Sequence, residues 1–184
     1  ASDFCHPTQV DNLDIIAGSE RLTEMESELD SRHKIYKLRE ALDSLKDTYQ
    51  HIFIDTAPAL NFYSMSALIA AQRCLIPIDC DDFARQGLYS LQKKIAEIKE
   101  DHNENLEIEG IIANQYMTNA NLPKQIVNEL IAEGFPVLSE YIGQSVKMRE
   151  SHQAKKPLIV LAPKHKLTQS LIGIFNLLNK VTYF

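Results

Sequence analysis

The sequence predicts a three-layer α/β fold, with a mostly parallel sheet covered by helices on both faces. Strand-like and helix-like patterns alternate along the chain, which is the order of βαβ units. Short apolar runs end on a polar side chain, as at Ile52-Phe53-Ile54-Asp55 and Leu75-Ile76-Pro77-Ile78-Asp79. Neither an internal repeat nor a low-complexity linker interrupts the 184 residues, so one domain over 1–184 is expected.

Residues 1–12 lack periodicity and read as a loop or arm. A short strand is expected at 13–17, stopped by Gly18 and Ser19, with Ser19 as the N-cap of an acidic helix from Glu20. Ile35, Leu38, Leu42 and Leu45 recur at helical spacing, predicting a helix over 31–47. The strand 51–55 follows, and Pro58, which lacks an N–H, ends it. A helix over 64–72 leads to strand 74–78, where Pro77 should lie at a strand end or bulge. Leu88, Leu91, Ile95 and Ile98 form the inward stripe of a helix over 83–102. Strand 106–114 ends on Asn114, and helix 123–133 is closed by Gly134. A short strand at 136–138, a helix over 146–152, an apolar segment at 158–161 and a final helix over 167–178 complete the chain.

Composition narrows the function. A net charge of −6 argues against a generally basic nucleic-acid binder but leaves room for a local basic patch. Cys5, Cys74 and Cys80 have neither C-x-x-C spacing nor even number, so a disulfide framework and a zinc site are not suggested, and a reducing cytoplasm is the simplest compartment. No apolar run approaches the roughly 18 residues of a membrane span. Asp55 has two readings. A carboxylate at the carboxyl end of a parallel strand faces the crevice where α/β sheets bind ligands and can hold Mg²⁺; it can equally cap the next turn. Asp79, Asp81 and Asp82 likewise form an acidic cluster, whose plainest explanation is Asp81 or Asp82 as the N-cap of the following helix. The device that would hold a triphosphate, G-x-x-x-x-G-K-[ST], is absent, because none of the six glycines precedes a lysine. No dinucleotide fingerprint, zinc motif or nucleophile elbow occurs either.

The run Tyr49-Gln50-His51-Ile52-Phe53-Ile54-Asp55-Thr56-Ala57-Pro58, then Leu75-Ile76-Pro77-Ile78 with Phe83-Ala84 and Gly87-Leu88, resembles ParA-type partition ATPases of the deviant Walker class, which also contains the MinD proteins. Residues 106–116, Val146 to Ser151 and Lys156-Pro157-Leu158 continue the likeness, which spans about 10–180 in order. The resemblance implies a P-loop NTPase-like fold of the SIMIBI class, lacking its first strand and phosphate loop in this chain. It implies Mg-ATP as the cofactor of the intact protein, with Asp55 as the Walker B carboxylate reaching Mg²⁺ through water. Asn114 would stand at the strand end that holds the base, and Asp79 to Phe83 near a dimer face. Lys147, Arg149, Lys164 and Lys166 fall where such ATPases bind DNA nonspecifically, although solvated surface charge is the plainer reading of each. A homodimer, DNA, a ParB-like partner protein and a cytoplasmic, nucleoid-associated location follow by the same likeness.

Two departures stand out: the family's lysine-bearing glycine loop and catalytic Asp are absent, and Ala57 replaces a usual second proline. The chain is therefore expected to be the part C-terminal to the phosphate loop, truncated or naturally shortened, with no catalytic residue of its own and weak or no ATP binding. A non-catalytic interaction module that keeps the fold is the alternative. A MinD-like membrane anchor over 167–184 is a further reading, weakened because only Lys166 and Lys180 flank its apolar face.

Overall fold

The computed structural model describes residues 1–32 and 34–180, with only the backbone of Lys180. The chain divides into two compact units, one of residues 1–72 and 93–106, the other of 73–92 and 107 onward.

In the first unit, the arm is not simply a loop. A 3₁₀ turn at Ser2–Phe4 precedes β1 (His6–Pro7), which pairs antiparallel with β2 (Asp14–Ile15). The expected strand at 13–17 shrinks to these two residues because only His6 and Pro7 offer it a ladder. Three helices follow: α1 (Arg21–Ser31), α2 (Lys37–Asp43) and α3 (Phe62–Ala70). Helix α3 starts on a reciprocal cap, with the Ser64 amide donating to Asn61 Oδ1 at 3.1 Å and the Asn61 amide to Ser64 Oγ at 2.9 Å. Its far end is held by Asn103 Nδ2, which donates to the Leu68 and Ala71 carbonyls at 3.0 and 2.7 Å. Leu45, Phe62, Ala67 and Ile69 are buried here.

The expected strand at 51–55 does not form. Residues 51–57 have no regular structure, and Ile52 and Phe53 are 41% and 79% exposed. Their side chains suit a strand, but a strand exists only as a member of a ladder, and none adjoins this run among the described residues.

The second unit is built on β3 (Arg73–Asp79) and β4 (Glu107–Asn114), which pair in parallel from Arg73 opposite Glu107 to Asp79 opposite Asn114. The ladder slips once between Cys74 and Leu75, leaving Glu109 as an extra residue, and Arg73 Nη1 pairs with its carboxylate at 2.6 Å. Pro77 lies within β3, opposite Ile112, rather than at an end or bulge. That is tolerated because β3 has a ladder on one side only among the described residues. The expected strand at 136–138 is reduced to a single parallel bridge between Val137 and Ile111, with the Leu138 amide donating to the Ile111 carbonyl at 2.9 Å.

Four helices, α4 (Asp82–Asp101), α5 (Asn121–Ala132), α6 (Val146–Ala154) and α8 (Lys166–Lys180), and the single turn α7 (Leu158–Leu161), complete the chain. The first half of α4 belongs to this unit and the second half to the other. Ile111, Leu130 and Ile126 are at most 1% exposed, each contributing about 1.5–3 kcal/mol of apolar burial. The last helix sends Leu167 and Ile174 inward, as a core-packing helix does; the anchor reading of 167–184 runs into residues 181–184, which lie outside the described residues. No described helix is long and apolar enough to cross a membrane.

Gly110 follows the bulge where the chain at 136–138 comes closest. A Cβ there would stand 2.7 Å from Leu138 Cδ2 and 2.9 Å from its Cγ, so an alanine must push Leu138 aside. Gly110→Ala is expected to lower the unfolding free energy by about 1–3 kcal/mol in urea titration. Unchanged stability would mean that Leu138 is not seated on β4.

Candidate functional site

Polar residues gather where β3 and β4 end. Both strands are apolar through their second halves, and because they are parallel and in register they deliver Asp79 and Asn114 side by side. Asn114 Nδ2 donates to Asp79 Oδ1 at 3.0 Å, and Gln115 Nε2 donates to Asp79 Oδ2 at 2.8 Å. Gln115 reaches back because its backbone is left-handed, with φ of 49°. Each Asp79 oxygen thus accepts a hydrogen bond from a side-chain amide.

The other acids of the cluster are engaged separately. Asp81 Oδ1 accepts the Ala84 amide at 2.7 Å and caps α4, and Asp82 pairs with Arg85 at 3.1 Å. Arg85 also binds Glu129 of α5, and the Tyr89 hydroxyl donates to Glu133 at 2.8 Å. The capping role read from the sequence therefore holds for Asp81. Phe83, in the first turn of α4, is 85% exposed. Burial pushes the Cys80 thiol up, and the charges of Asp79 and Asp81 push it further.

Beyond Asn114 the chain opens into a cleft of about 630 Å³. Tyr116 hydrogen-bonds through its amide to the Ile142 carbonyl at 2.9 Å and bridges Gly143, which sets its ring against Tyr141 with centroids 4.4 Å apart. Ser145, His165 and Lys166 also face the cleft. Ser145 Oγ accepts the Lys147 amide at 3.1 Å at the start of α6, and His165 Nδ1 accepts the Leu167 amide at 3.2 Å at the start of α8. Aromatic walls with hydroxyl, imidazole and ammonium groups suit a flat polar ligand. Sequence reasoning missed this cleft. Its signal was the pair Tyr116 and Tyr141, which only the bridge at Gly143 brings together.

The other expected site residues are dispersed. Asp55 is exposed in the first unit, on the irregular run 51–57, whereas Asn114 belongs to the second. Lys147 pairs with Glu150 at 2.6 Å, the plain surface role. Arg149, Lys164 and Lys166 are exposed and have no ion pair among the described residues.

These residues do not by themselves fit Mg-ATP. No group of three or more His, Cys, Asp or Glu among the described residues could hold a metal ion. Asp55 is a lone carboxylate on an irregular segment, and nothing in the sequence forms the backbone cradle that a triphosphate needs.

Comparison with known proteins gives a consistent picture. A family model described as AAA domain matches residues 1–108. The chromosome partitioning protein ParA of Myxococcus xanthus is 31% identical over 176 residues, covering 94% of this chain and 62% of that protein. The chain thus spans less than two thirds of that relative's length. An ATP complex of McdA from Cyanothece superposes with a TM-score of 0.84 at 17% identity, over 97% of this chain and 70% of that one. The cell division ATPase MinD of Pyrococcus furiosus superposes with a TM-score of 0.78 at 20% identity, over 98% and 70%.

The Cys80 environment is open to test. A raised thiol pKa means less thiolate at a given pH, so alkylation at pH 8 should run slower than for a free cysteine. Asp81→Asn removes one nearby negative charge while keeping a capping oxygen, so it should lower the pKa and speed Cys80 alkylation on the order of twofold. An unchanged rate would remove Asp81 as a cause and leave burial and the Asp79 charge.

Proposed function

Because this chain belongs to the ParA-like family of deviant Walker ATPases, with the ParA and MinD P-loop NTPase fold, we propose that it serves in DNA partitioning. It carries the part of such an ATPase that follows the phosphate loop. The intact protein, cytoplasmic and nucleoid-associated, binds Mg-ATP, dimerises, binds DNA without sequence preference and answers to a ParB-like partner. The sequence match to a chromosome partitioning protein along nearly the whole chain carries this reading. Asp55 would reach Mg²⁺ through water in the intact protein, and Asn114, held by Asp79 at the end of β4, would border the base. Arg149, Lys164 and Lys166, which have no ion pair among the described residues, offer positive charge for phosphates, and Lys147 joins them if it leaves Glu150.

A second reading, a non-catalytic interaction module, draws support from one observation: the Asn114 side-chain amide is engaged within the chain, donating to Asp79. Two titrations test the pair of readings. Calorimetry of the chain with Mg-ATP should show no binding, and micromolar affinity would overturn the view that the phosphate loop must be supplied from elsewhere. Binding to a nonspecific DNA duplex should weaken with salt, and Arg149→Ala should lower the log–log slope by about one. Duplex binding unaffected by salt and by the substitution would remove these residues from the DNA surface. Strong salt-dependent binding without nucleotide would favour the module.

A further inference from the structure

One apolar face is left unexplained by partitioning chemistry. Residues 155–166 read Lys-Lys-Pro-Leu-Ile-Val-Leu-Ala-Pro-Lys-His-Lys, an apolar core set between two prolines and bracketed by lysines. In a chain of net charge −6 this stretch carries four lysines and no acid. The structure folds the core into the single turn α7, directly after α6, whose C-cap Lys155 is left-handed with φ of 50°.

The turn presents its apolar side chains outward. Leu158 is buried and pins the turn to its unit, but Ile159 is 56% and Val160 63% exposed, with Leu161 at 38%. Lys155, Lys156, Lys164 and Lys166 are all exposed, and none has an ion pair among the described residues. Glu150, an acid on the preceding helix, is already paired with Lys147.

Part of the turn's backbone is satisfied within the chain. The amides of Val160 and Leu161 donate to the Pro157 carbonyl at 2.9 and 3.0 Å, and that of Ala162 to the Leu158 carbonyl at 2.8 Å. Thr168 Oγ1 and Gln169 Nε2 donate to the carbonyls of Ala162 and Pro163 at 2.7 and 2.8 Å. Pro157 and Pro163 have no N–H to satisfy. The Ile159 amide and the carbonyls of Ile159, Val160 and Leu161 have no hydrogen bond among the described residues, so the knob settles at the hydrated headgroup level, where water still reaches them, and only its side chains pass deeper.

We infer that α7 and its flanking lysines dock on an anionic lipid surface, with Ile159 and Val160 entering the headgroup–acyl boundary and Lys155, Lys156, Lys164 and Lys166 meeting the lipid charges. DNA accounts for the lysines but gives the two most exposed apolar side chains nothing to contact. A bilayer accounts for both, since interfacial binding combines apolar insertion with attraction to anionic headgroups. The site is separate from α8, whose Leu167 and Ile174 are committed to the core. A single short knob gives reversible attachment, and each lysine near the surface strengthens it about fivefold.

The test is co-sedimentation of the whole chain with vesicles at about 0.1 M salt. Vesicles of phosphatidylcholine with about one third phosphatidylglycerol should bind it at least roughly tenfold more tightly than phosphatidylcholine alone. Ile159→Ser combined with Val160→Ser should weaken binding to the anionic vesicles about tenfold or more while duplex DNA binding stays as it was. Lys156→Glu, which leaves the apolar face intact, should weaken vesicle binding by a similar factor and guards against a folding defect in the first variant. Three results would overturn the proposal: no binding to anionic vesicles, vesicle binding indifferent to the Ile159 and Val160 substitutions, or equal loss of DNA binding in that variant. Self-association of the chain that the same substitutions abolish, without vesicle binding, would assign the face to a second copy and overturn it as well.

Discussion

The parallel pairing of β3 with β4 governs the second unit, because its register decides which side chains stand together at the strand ends. Seven residues of β3 against eight of β4 would leave the ends out of step; the slip at Glu109 absorbs the difference. Asp79 and Asn114 then emerge as register partners. A shift of one residue in β3 would turn Ile76 and Ile78 away from the interior they fill and bring the exposed Pro77 into it, so burial and site geometry are enforced by one constraint. The left-handed turn at Gln115 acts after the register is set, folding a second amide onto the same carboxylate.

That constraint reaches outward through Ile111 and Ala113. Their carbonyls accept the amides of Leu138 and Ile142, and the Pro136 carbonyl accepts the amide of Ile111. The segment from 136 to 143 therefore follows β4 without forming a full strand, and it departs from the ladder where Tyr141 turns its ring to Tyr116. The cleft is the product of that departure. A continuous third strand would have alternated its side chains across the sheet, with no loop of Ser139, Glu140 and Tyr141 left to wall a pocket.

What the sequence made legible and what it hid divide along physical lines. The long helices α4, α5 and α8 were readable because an apolar stripe at helical period has one way to bury itself. The ends of β3 and β4 were readable because apolar runs closed by Asp79 and Asn114 mark where a strand meets solvent. The run at 51–55 carries the same composition and forms no strand, because composition states a capacity whereas a ladder requires a neighbour. The segment 158–161 is rich in strand-favouring side chains, yet Pro157, with φ of −53°, and Pro163 confine it to one helical turn. The acidic cluster was half legible: a cap at Asp81 could be anticipated, but the bonding of Asp79 to two amides depends on β4 and the turn beyond it. Tyr116 and Tyr141 could not be paired from spacing at all, since a bridge between distant residues joins them.

The two polar regions of the second unit follow from this arrangement by opposite routes. At the strand ends, donors and acceptors are matched within the chain, with Asn114 and Gln115 on Asp79, the Ala84 amide on Asp81 and Arg85 on Asp82. Matched groups fix geometry and resist displacement, since a ligand must replace each bond that it breaks. Around α7 the balance is reversed. Only part of the backbone is satisfied internally, and the lysines and the outward apolar side chains are left to solvent. Unmatched charge attracts at long range and unmatched apolar surface gains on contact. A surface of that kind is poor at holding one small molecule in one pose and well suited to a broad, charged, partly apolar boundary.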